Sequence, residues 1–170
     1  SRNTIGTYLK VAHDDRRLYI GIRNVEGHMS ALRTKIQERD GKNVWKDDCN
    51  EIFVQPDPGK SVIYHLVVNA DGVLWDGIHR AAKAGGAFST STDWDSKAEF
   101  VVRKHAKNWT LEMAIPWDSL GVKLYPGMQV KANFYRRRCA HPTIRPIVTA
   151  WSPLAQFGEK HLAPSRFGSI

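Results

Sequence analysis

The chain has 170 residues, of which 42% are hydrophobic and 25% are charged, a composition typical of one globular domain with a sizeable core. Its net charge of +8 would suit an anionic partner, but the basic residues are scattered along the chain, so nucleic-acid binding is not expected. No run of about 18 apolar residues is present, which argues against a transmembrane helix and membrane insertion. Six tryptophans are more than one small core usually needs.

The chain opens on Ser-Arg-Asn without a signal peptide and soon enters a strand pattern, so we expect an excised or processed piece of a larger chain. Its two cysteines, Cys49 and Cys139, form no CxxC pair, and either one disulfide or two buried thiols fits this spacing. We expect the two to lie close enough to pair, because each borders a central strand. The seven histidines show no HExxH or HxxxH spacing, which gives no support for a zinc site.

Frequent turn signals and the near absence of helical periodicity predict an all-β chain. Residues 24–46 and 80–96 are predicted loops, and residues 116–121 read as one short helical turn with proline near its start and glycine at its end. We therefore predict a single domain over residues 1–170, an antiparallel β-sandwich of the jelly-roll or immunoglobulin-like kind. The predicted strands cover residues 4–11, 18–23, 49–54, 62–69, 73–78, 98–103, 109–115, 128–138 and 148–151.

A glutamate lies in the middle of one predicted strand. Alternation places Glu51 with Cys49 and Phe53 on one face, opposite Ile52 and Val54. Both faces are partly apolar, which indicates a central strand. A carboxylate in such a place is costly unless it has a partner. Glu51 therefore needs either a ligand or a buried cation.

Short motifs follow one another in a fixed order along the chain. They are DDRRLYIGI, DDCNEIFVQP, YHLVVNADG, NWTLEMAIPWDSLG, GMQVKANFYRRR, TAWSP and PSRFGSI. Over about residues 8–170, this ordered set resembles the family 9 carbohydrate-binding modules and their relatives. In that family the domain usually begins with an additional strand or two before the position where this chain starts.

The resemblance implies a β-sandwich appended to secreted glycan-degrading enzymes, with calcium at structural sites. Its members hold the end of a sugar chain between two tryptophans, and polar residues at the base of the slot bind the hydroxyls. We therefore expect a non-catalytic module of a secreted or periplasmic protein, with a carbohydrate ligand and covalent neighbour domains. In the family pattern one clamp tryptophan precedes a strand glutamate by six residues, which matches Trp45 and Glu51.

Three of the tryptophans have a predicted role in the clamp or the core. Trp45 lies in a polar loop among charged residues, a context that favours ligand contact over a place in the core. Trp151 follows a short strand near the C-terminus and is the candidate for the second ring of the clamp. Trp109 shares one face of its strand with other apolar residues, which predicts a core position.

Four polar residues are further carbohydrate-binding candidates: Asn133, Arg136, His65 and Asn69. The first two match an Asn-x-x-Arg pattern of the family, but a strand bulge would be needed to bring both into one pocket. The other two share a face of the neighbouring strand. The alternative for each is a satisfied structural residue, and for Glu51 it is a buried ion pair with Arg136 or Arg138.

Calcium and two other functions remain open at this stage. Oxygen ligands for calcium are available at turn aspartates, but no EF-hand pattern is present, and the metal ligands stay unknown. One alternative function is a haem b-binding electron-transfer domain, with ligation by Met29, Met113 or Met128. The other is a glycan-active enzyme, which needs paired carboxylates such as Glu51 and Glu112. The turn aspartates are Asp14, Asp15, Asp47, Asp48 and Asp57.

Overall fold

Two antiparallel β-sheets pack face to face in a computed structural model of the protein. The structure describes residues 5–82, 86–140, 145–152 and 163–170. Within these ranges the only helical segments are short 3-10 turns, and the predicted all-β sandwich is confirmed. The turns cover Met29–Ala31, Val44–Lys46, Trp117–Leu120 and Pro164–Arg166. None of the described helices has the length and apolar character that crossing a lipid bilayer requires.

The described part of the chain contains eleven strands. In chain order they are β1 (Thr7–His13), β2 (Arg17–Val25), β3 (Cys49–Gln55), β4 (Val62–Asn69), β5 (Leu74–Ala81), β6 (Phe88–Ser91), β7 (Glu99–His105), β8 (Asn108–Pro116), β9 (Lys131–Arg138), β10 (Ile147–Ala150) and β11 (Gly168–Ser169).

The strands divide into sheets of four and seven strands. Sheet A has the order β1-β2-β8-β7, and sheet B has the order β10-β9-β3-β4-β5-β6, with β11 also paired to β9. Strand β3 therefore has a partner on each side, which confirms the prediction that the strand of Glu51 is central.

The core lies between the two sheets. Alternating residues of sheet B, such as Ile52 and Leu66, pack against alternating residues of sheet A, such as Ile20 and Leu111. Each such fully buried side chain contributes about 1.5–3 kcal/mol relative to an exposed one. Trp109 is completely buried in this core, as predicted. The opposite side of sheet B, turned away from sheet A, is called the outer face below.

Two predicted loops contain structure that the sequence did not reveal. Strand β2 continues to Val25, and the buried Asn24 exchanges side-chain hydrogen bonds with Asn50 across the core. The segment 80–96 contains β6, which pairs with β5. Both segments were read as loops because they are polar. Asn24 is satisfied by Asn50, 26 residues further along the chain, whereas β6 pairs with β5, the strand that directly precedes it.

The two cysteines are free thiols, Cys49 at the start of β3 and Cys139 directly after the neighbouring strand β9. Cys49 is buried and lies opposite Arg137, two residues before Cys139. Burial first, and then the nearby charge of Glu51, raises the pKa of the Cys49 thiol well above its usual value. The Cys139 thiol donates to the Lys46 carbonyl at 3.4 Å.

Candidate functional site

A group of polar and aromatic side chains occupies the outer face of sheet B. Because side chains alternate along a strand, the odd-numbered residues of its central strands all point away from the core. The pairing of β3 with β4 and β9 then brings together residues that are far apart in sequence. Those named below are Glu51, His65, Asn69, Trp75, His79, Asn133, Tyr135 and Arg137.

Trp45 lies at the border of this face, in the 3-10 turn Val44–Lys46 that leads into β3. Its indole ring is partly exposed and meets the Trp75 ring edge to face, with centroids 5.9 Å apart and an interplanar angle of 79°. Asp47 fixes the end of the turn, since its Oδ2 accepts hydrogen bonds from the Ile36 N–H and the Asn69 amide. The turn therefore holds the Trp45 indole as an aromatic surface beside the outer face.

The side chain of Glu51 lies next to His65. Its Oε2 lies 3.2 Å from Nε2 of His65, and the two side chains are only 5% and 10% exposed. The His65 ring is stacked on Phe53, with centroids 3.9 Å apart, and Trp75 approaches it at 5.1 Å. The carboxylate therefore sits in a recess next to a ring with a fixed orientation.

A second histidine lies behind the first. Nδ1 of His65 is 3.1 Å from Nε2 of His79, whose Nδ1 is 2.8 Å from the Thr90 hydroxyl. Burial, and to a lesser degree the neighbouring His65, lowers the pKa of His79 from 6.5 to about 4. His79 is therefore neutral at neutral pH, with one ring nitrogen donating and the other accepting.

Asn69 and Asn133 border the site, but other groups occupy their amides. The Asn69 amide donates to the Ile36 carbonyl and to Asp47, and its oxygen accepts from two backbone N–H groups of the β4–β5 turn. The Asn133 amide donates to the Tyr135 hydroxyl and to a backbone carbonyl, and its oxygen accepts two backbone N–H groups. Each amide already makes the four hydrogen bonds it can form, which favours a structural role.

The structure does not bring Arg136 to the outer face. Strand β9 pairs with β3 in continuous register from Lys131 to Arg137, so the bulge that a shared pocket with Asn133 required is not present. Arg136 instead points towards sheet A, where it donates to Glu26 at 3.1 Å. Alternation along β9 thus keeps Asn133 and Arg136 on opposite faces, and without a bulge the two cannot share a pocket on the outer face.

Trp151 also lies on the other side of sheet B. Ala150 is opposite Tyr135 on the outer face, so alternation turns the next residue away from it. The indole is 46% exposed, packs edge-on against the core residue Phe134 and lines a groove of about 750 Å³. Trp45 and Trp151 therefore do not flank a common slot, contrary to the prediction.

Four residues of the outer face were not identified as site residues from the sequence: Trp75, His79, Tyr135 and Arg137. The sequence did contain a pattern that could have identified Trp75. The Ala-Asp-Gly turn after β4 predicted a hairpin, and continuing its register places Trp75 opposite Val67, which is itself opposite Glu51. Arg137 follows from the alternation of β9, and it is a partly exposed cation on the outer face.

The alternative functions find little support in this arrangement. Glu112 is on the exposed side of sheet A, with its side chain 67% exposed, whereas Glu51 is on the outer face of sheet B. The two carboxylates are separated by the whole sandwich and cannot flank one glycosidic bond. Met113, one of the three candidate methionines, is 3% exposed within the core, among apolar side chains, where a haem has no room. Met29 and Met128 are only partly buried against that core, and haem ligation by them stays an untested expectation.

Two of the aspartates considered for calcium are occupied by donors of the chain itself. Asp14 accepts the backbone N–H groups of Arg16 and Arg17, and Asp48 accepts those of Arg33 and Cys139. Asp47 differs, because its buried Oδ1 makes no hydrogen bond. No three His, Cys, Asp or Glu side chains converge as a metal site in the described ranges. Calcium therefore stays a prediction.

The fold is a β-sandwich, and the outer face of sheet B carries an aromatic surface beside an almost fully buried carboxylate. A family model described as carbohydrate-binding family 9 matches residues 5–170. The chain therefore belongs to carbohydrate-binding family 9, a family of non-catalytic binding modules. The resemblance noted in the sequence is confirmed.

Solved structures share this fold. A candidate carbohydrate-binding protein from Bacteroides uniformis aligns with a TM-score of 0.75 at 23% identity, covering 97% of this chain and 77% of that one. A family 9 module from Caldicellulosiruptor kristjanssonii in complex with glucose gives 0.68 at 16% identity, covering 100% and 78%. A structure of such a module from the same organism with cellotriose gives 0.60 at 14% identity, covering 88% and 66%. A comparison with curated proteins found no significant match.

Proposed function

We propose that this module binds a glucose-containing saccharide on the outer face of sheet B, with Trp45 and Glu51 as its main contacts. The observation that carries the proposal is the placement of a partly exposed indole beside a recessed carboxylate on one sheet face. The glucose and cellotriose complexes of the structurally similar modules support this ligand class.

The chemistry of the two residues suits a pyranose. One side of a sugar ring presents C–H groups, which pack on an aromatic surface, and its rim presents hydroxyls. Hydrogen bonds from hydroxyls to a carboxylate are roughly twice as strong as neutral ones. Arg137, partly exposed on the same face, adds a cationic donor for hydroxyl oxygens. Stacking and hydrogen bonding together select a sugar over a purely apolar ligand.

The arrangement supports a one-sided platform rather than a slot between two indoles. Trp45 and Trp75 contact each other edge to face, which leaves no space for a sugar between them. The sugar would stack on the free side of Trp45 and extend its rim towards Glu51. Because Glu51 is only 4% exposed, a terminal sugar that can enter the recess fits better than an internal one.

This role is that of a non-catalytic module attached to a larger protein outside the cytoplasm, where polysaccharides are found. The module would hold its neighbour domains close to their substrate and so raise their effective concentration there.

The test is a calorimetric titration with cellotriose, comparing the wild type with Trp45→Ala and Trp151→Ala. Both substitutions remove a partly exposed indole, but only Trp45 borders the outer face. We expect Trp45→Ala to abolish measurable binding with the fold intact, and Trp151→Ala to bind as the wild type does. Equal affinity of wild type and Trp45→Ala, or loss of binding in Trp151→Ala alone, would overturn the proposal.

A further inference from the structure

A row of polar side chains crosses the outer face from the edge of sheet B to its centre. It consists of Thr90 on β6, His79 on β5, His65 on β4 and Glu51 on β3, and it is called the polar row below. The facing polar atoms are 2.8, 3.1 and 3.2 Å apart along the row. Four neighbouring strands thus contribute one member each, in contact at every step.

The strand register explains the path of the row. Thr90 is directly opposite His79, whereas His65 is opposite Gly77. The steps from His79 to His65 and from His65 to Glu51 therefore run diagonally. Diagonal neighbours on one face of a sheet are within reach of long side chains.

Two aromatic rings fix the orientation of His65 within the row. Phe53 stacks on one side of the imidazole, and Trp75 approaches it at an interplanar angle of 69°. The Trp75 indole occupies the space above Gly77, where a β-carbon would come within 2.7 Å of it. With the ring held in this way, Nδ1 of His65 makes the contact with His79, and Nε2 lies 3.2 Å from Oε2 of Glu51, an ion-pair distance without the angle of a hydrogen bond.

The distances restrict where the protons lie. His79 is neutral at neutral pH, so the two facing ring nitrogens 3.1 Å apart share a single proton. If the Thr90 hydroxyl donates to His79, the proton on Nε2 of His79 points to His65. His65 then carries its own proton on Nε2, towards Glu51. With a single proton on His65, the reverse order would turn a lone pair of that ring towards the carboxylate, which is unfavourable. A doubly protonated His65 would instead donate to both His79 and Glu51, and the Thr90 hydroxyl would then accept from His79.

We infer that Thr90 and His79 are positioning residues, which act through His65 to hold Glu51 as an ionised, oriented acceptor for saccharide hydroxyls. This inference rests on the proposed function of Glu51. It gives Thr90 and His79 a role in binding although neither residue would touch the sugar itself. In the inferred order, Thr90, His79 and His65 each direct a hydrogen to the next residue towards Glu51. The negative charge of Glu51 favours this order over the opposite one.

The first test needs no ligand. Imidazole nitrogen NMR of the whole chain reports which nitrogen of each histidine carries the proton. We expect Nε2–H for both His65 and His79. Thr90→Val removes the hydroxyl at an exposed position, so it should shift the His79 signals while Thr90→Ser retains them; the exposed His105 serves as an internal reference. A proton on Nδ1 of His65 would overturn the inferred order, whatever the protein binds.

The second test measures the cellotriose affinity of the two variants Thr90→Val and Thr90→Ser. Losing one neutral hydrogen bond of the row should weaken binding by about 2- to 10-fold in Thr90→Val, and Thr90→Ser should restore it. His79→Leu should weaken binding more than His79→Gln, which keeps an amide donor near the position of Nε2. Wild-type affinity in Thr90→Val and His79→Leu would refute the positioning role but leave the proposed function standing. Wild-type affinity in Trp45→Ala would instead refute the proposed function.

Discussion

Glu51 and Arg136 lie on opposite faces of sheet B, although their strands are direct neighbours. Asn50 is the residue opposite Arg136, and Tyr135 is the residue opposite Glu51. Arg136 and Arg138 both contact Glu26 between the sheets, while Glu51 meets His65 on the outer face. The two buried glutamates therefore have different partners on different faces of sheet B, so their substitutions can be tested independently.

Glu51→Gln should weaken saccharide binding far more than it weakens the fold. The substitution keeps the shape but removes the charge, so the loss should be on the order of 1.5–3 kcal/mol in binding free energy, the range for hydrogen bonds to charged groups. Calorimetric titration gives the affinity, and urea unfolding gives the stability. A large loss of stability together with undiminished affinity of the folded fraction would show that Glu51 has a structural role.

Glu26→Gln should weaken the fold far more than it weakens saccharide binding. Glu26 is completely buried, and both Arg136 and Arg138 donate to its carboxylate. Burial alone would raise the pKa of Glu26, but the hydrogen bonds from Arg138 and from the His28 N–H, with the two positive charges, lower it overall. Removing the charge leaves buried guanidinium groups poorly compensated, which costs about 3–5 kcal/mol of unfolding free energy.

The matched control for this substitution is Glu99→Gln. Glu99 also pairs with an arginine, Arg17, at 2.8 Å, but its side chain is 71% exposed. Solvent screens exposed pairs, so the unfolding free energy of this variant should change little. Similar losses in the two variants would mean that the Glu26 cluster is not the stabilising element. Both variants should keep wild-type affinity for cellotriose.

Gly77→Ala should disturb the site through Trp75. A β-carbon at this position would lie 2.7 Å from the indole and 3.1 Å from the Ser91 carbonyl oxygen, so the ring must shift. We expect a loss of about 1–3 kcal/mol in unfolding free energy, as for overpacked sites. Cellotriose affinity should also fall, because Trp75 supports Trp45.

Gly21→Ala provides the comparison for this substitution. Gly21 also lies within a strand, but its added β-carbon would have only the Lys10 side chain within reach, at 4.0 Å. The variant should be as stable as the wild type or slightly more stable, since alanine restricts the unfolded chain. If Gly77→Ala behaves in the same way, Trp75 is not confined as the structure indicates.

Stability should fall as the pH drops from 6.5 towards about 4, and His79 should account for part of the slope. The pKa of His79 is lowered to about 4 in the folded protein, so the unfolded chain takes up the proton first. The unfolded state then binds more protons, and the slope approaches about 1.4 kcal/mol per pH unit for this one group. Urea unfolding at several pH values should show a flatter profile for His79→Gln. The exposed His105→Gln should follow the wild type, and identical profiles for all three would contradict the assignment.

The sequence was sufficient for most of the fold. Alternating apolar residues and turn clusters located β4 at its observed bounds and the other predicted strands to within a few residues. It was insufficient for β6, because Phe88–Ser91 is a short edge strand whose pattern is indistinguishable from a polar loop. It also missed Glu26, because a charged residue just after a strand reads as solvent-exposed until its two arginine partners, more than 100 positions away, are known.

For the candidate site, the sequence placed individual residues on the outer face better than it predicted which side chains contact each other. The six-residue spacing of Trp45 and Glu51 places both at the outer face, and His65 follows from its strand. Trp151 was chosen for its position after a short strand near the C-terminus, and that position does not reveal which face of sheet B its indole reaches, because this depends on where the pairing of β10 with β9 begins. The link from His65 to His79 depends on the register of the β4–β5 hairpin and on a diagonal contact, neither of which a local pattern contains.

The outer-face residues come from the paired central strands β9, β3, β4 and β5. A saccharide bound there touches a surface that exists only while all four strands are paired, so it binds the folded chain and not the unfolded one. Its binding free energy adds to the unfolding free energy of the whole domain, by about 2.7 kcal/mol when the free sugar is at 100 times its dissociation constant. Heating the protein with a panel of sugars, one at a time, would therefore rank them by affinity through the rise in melting temperature.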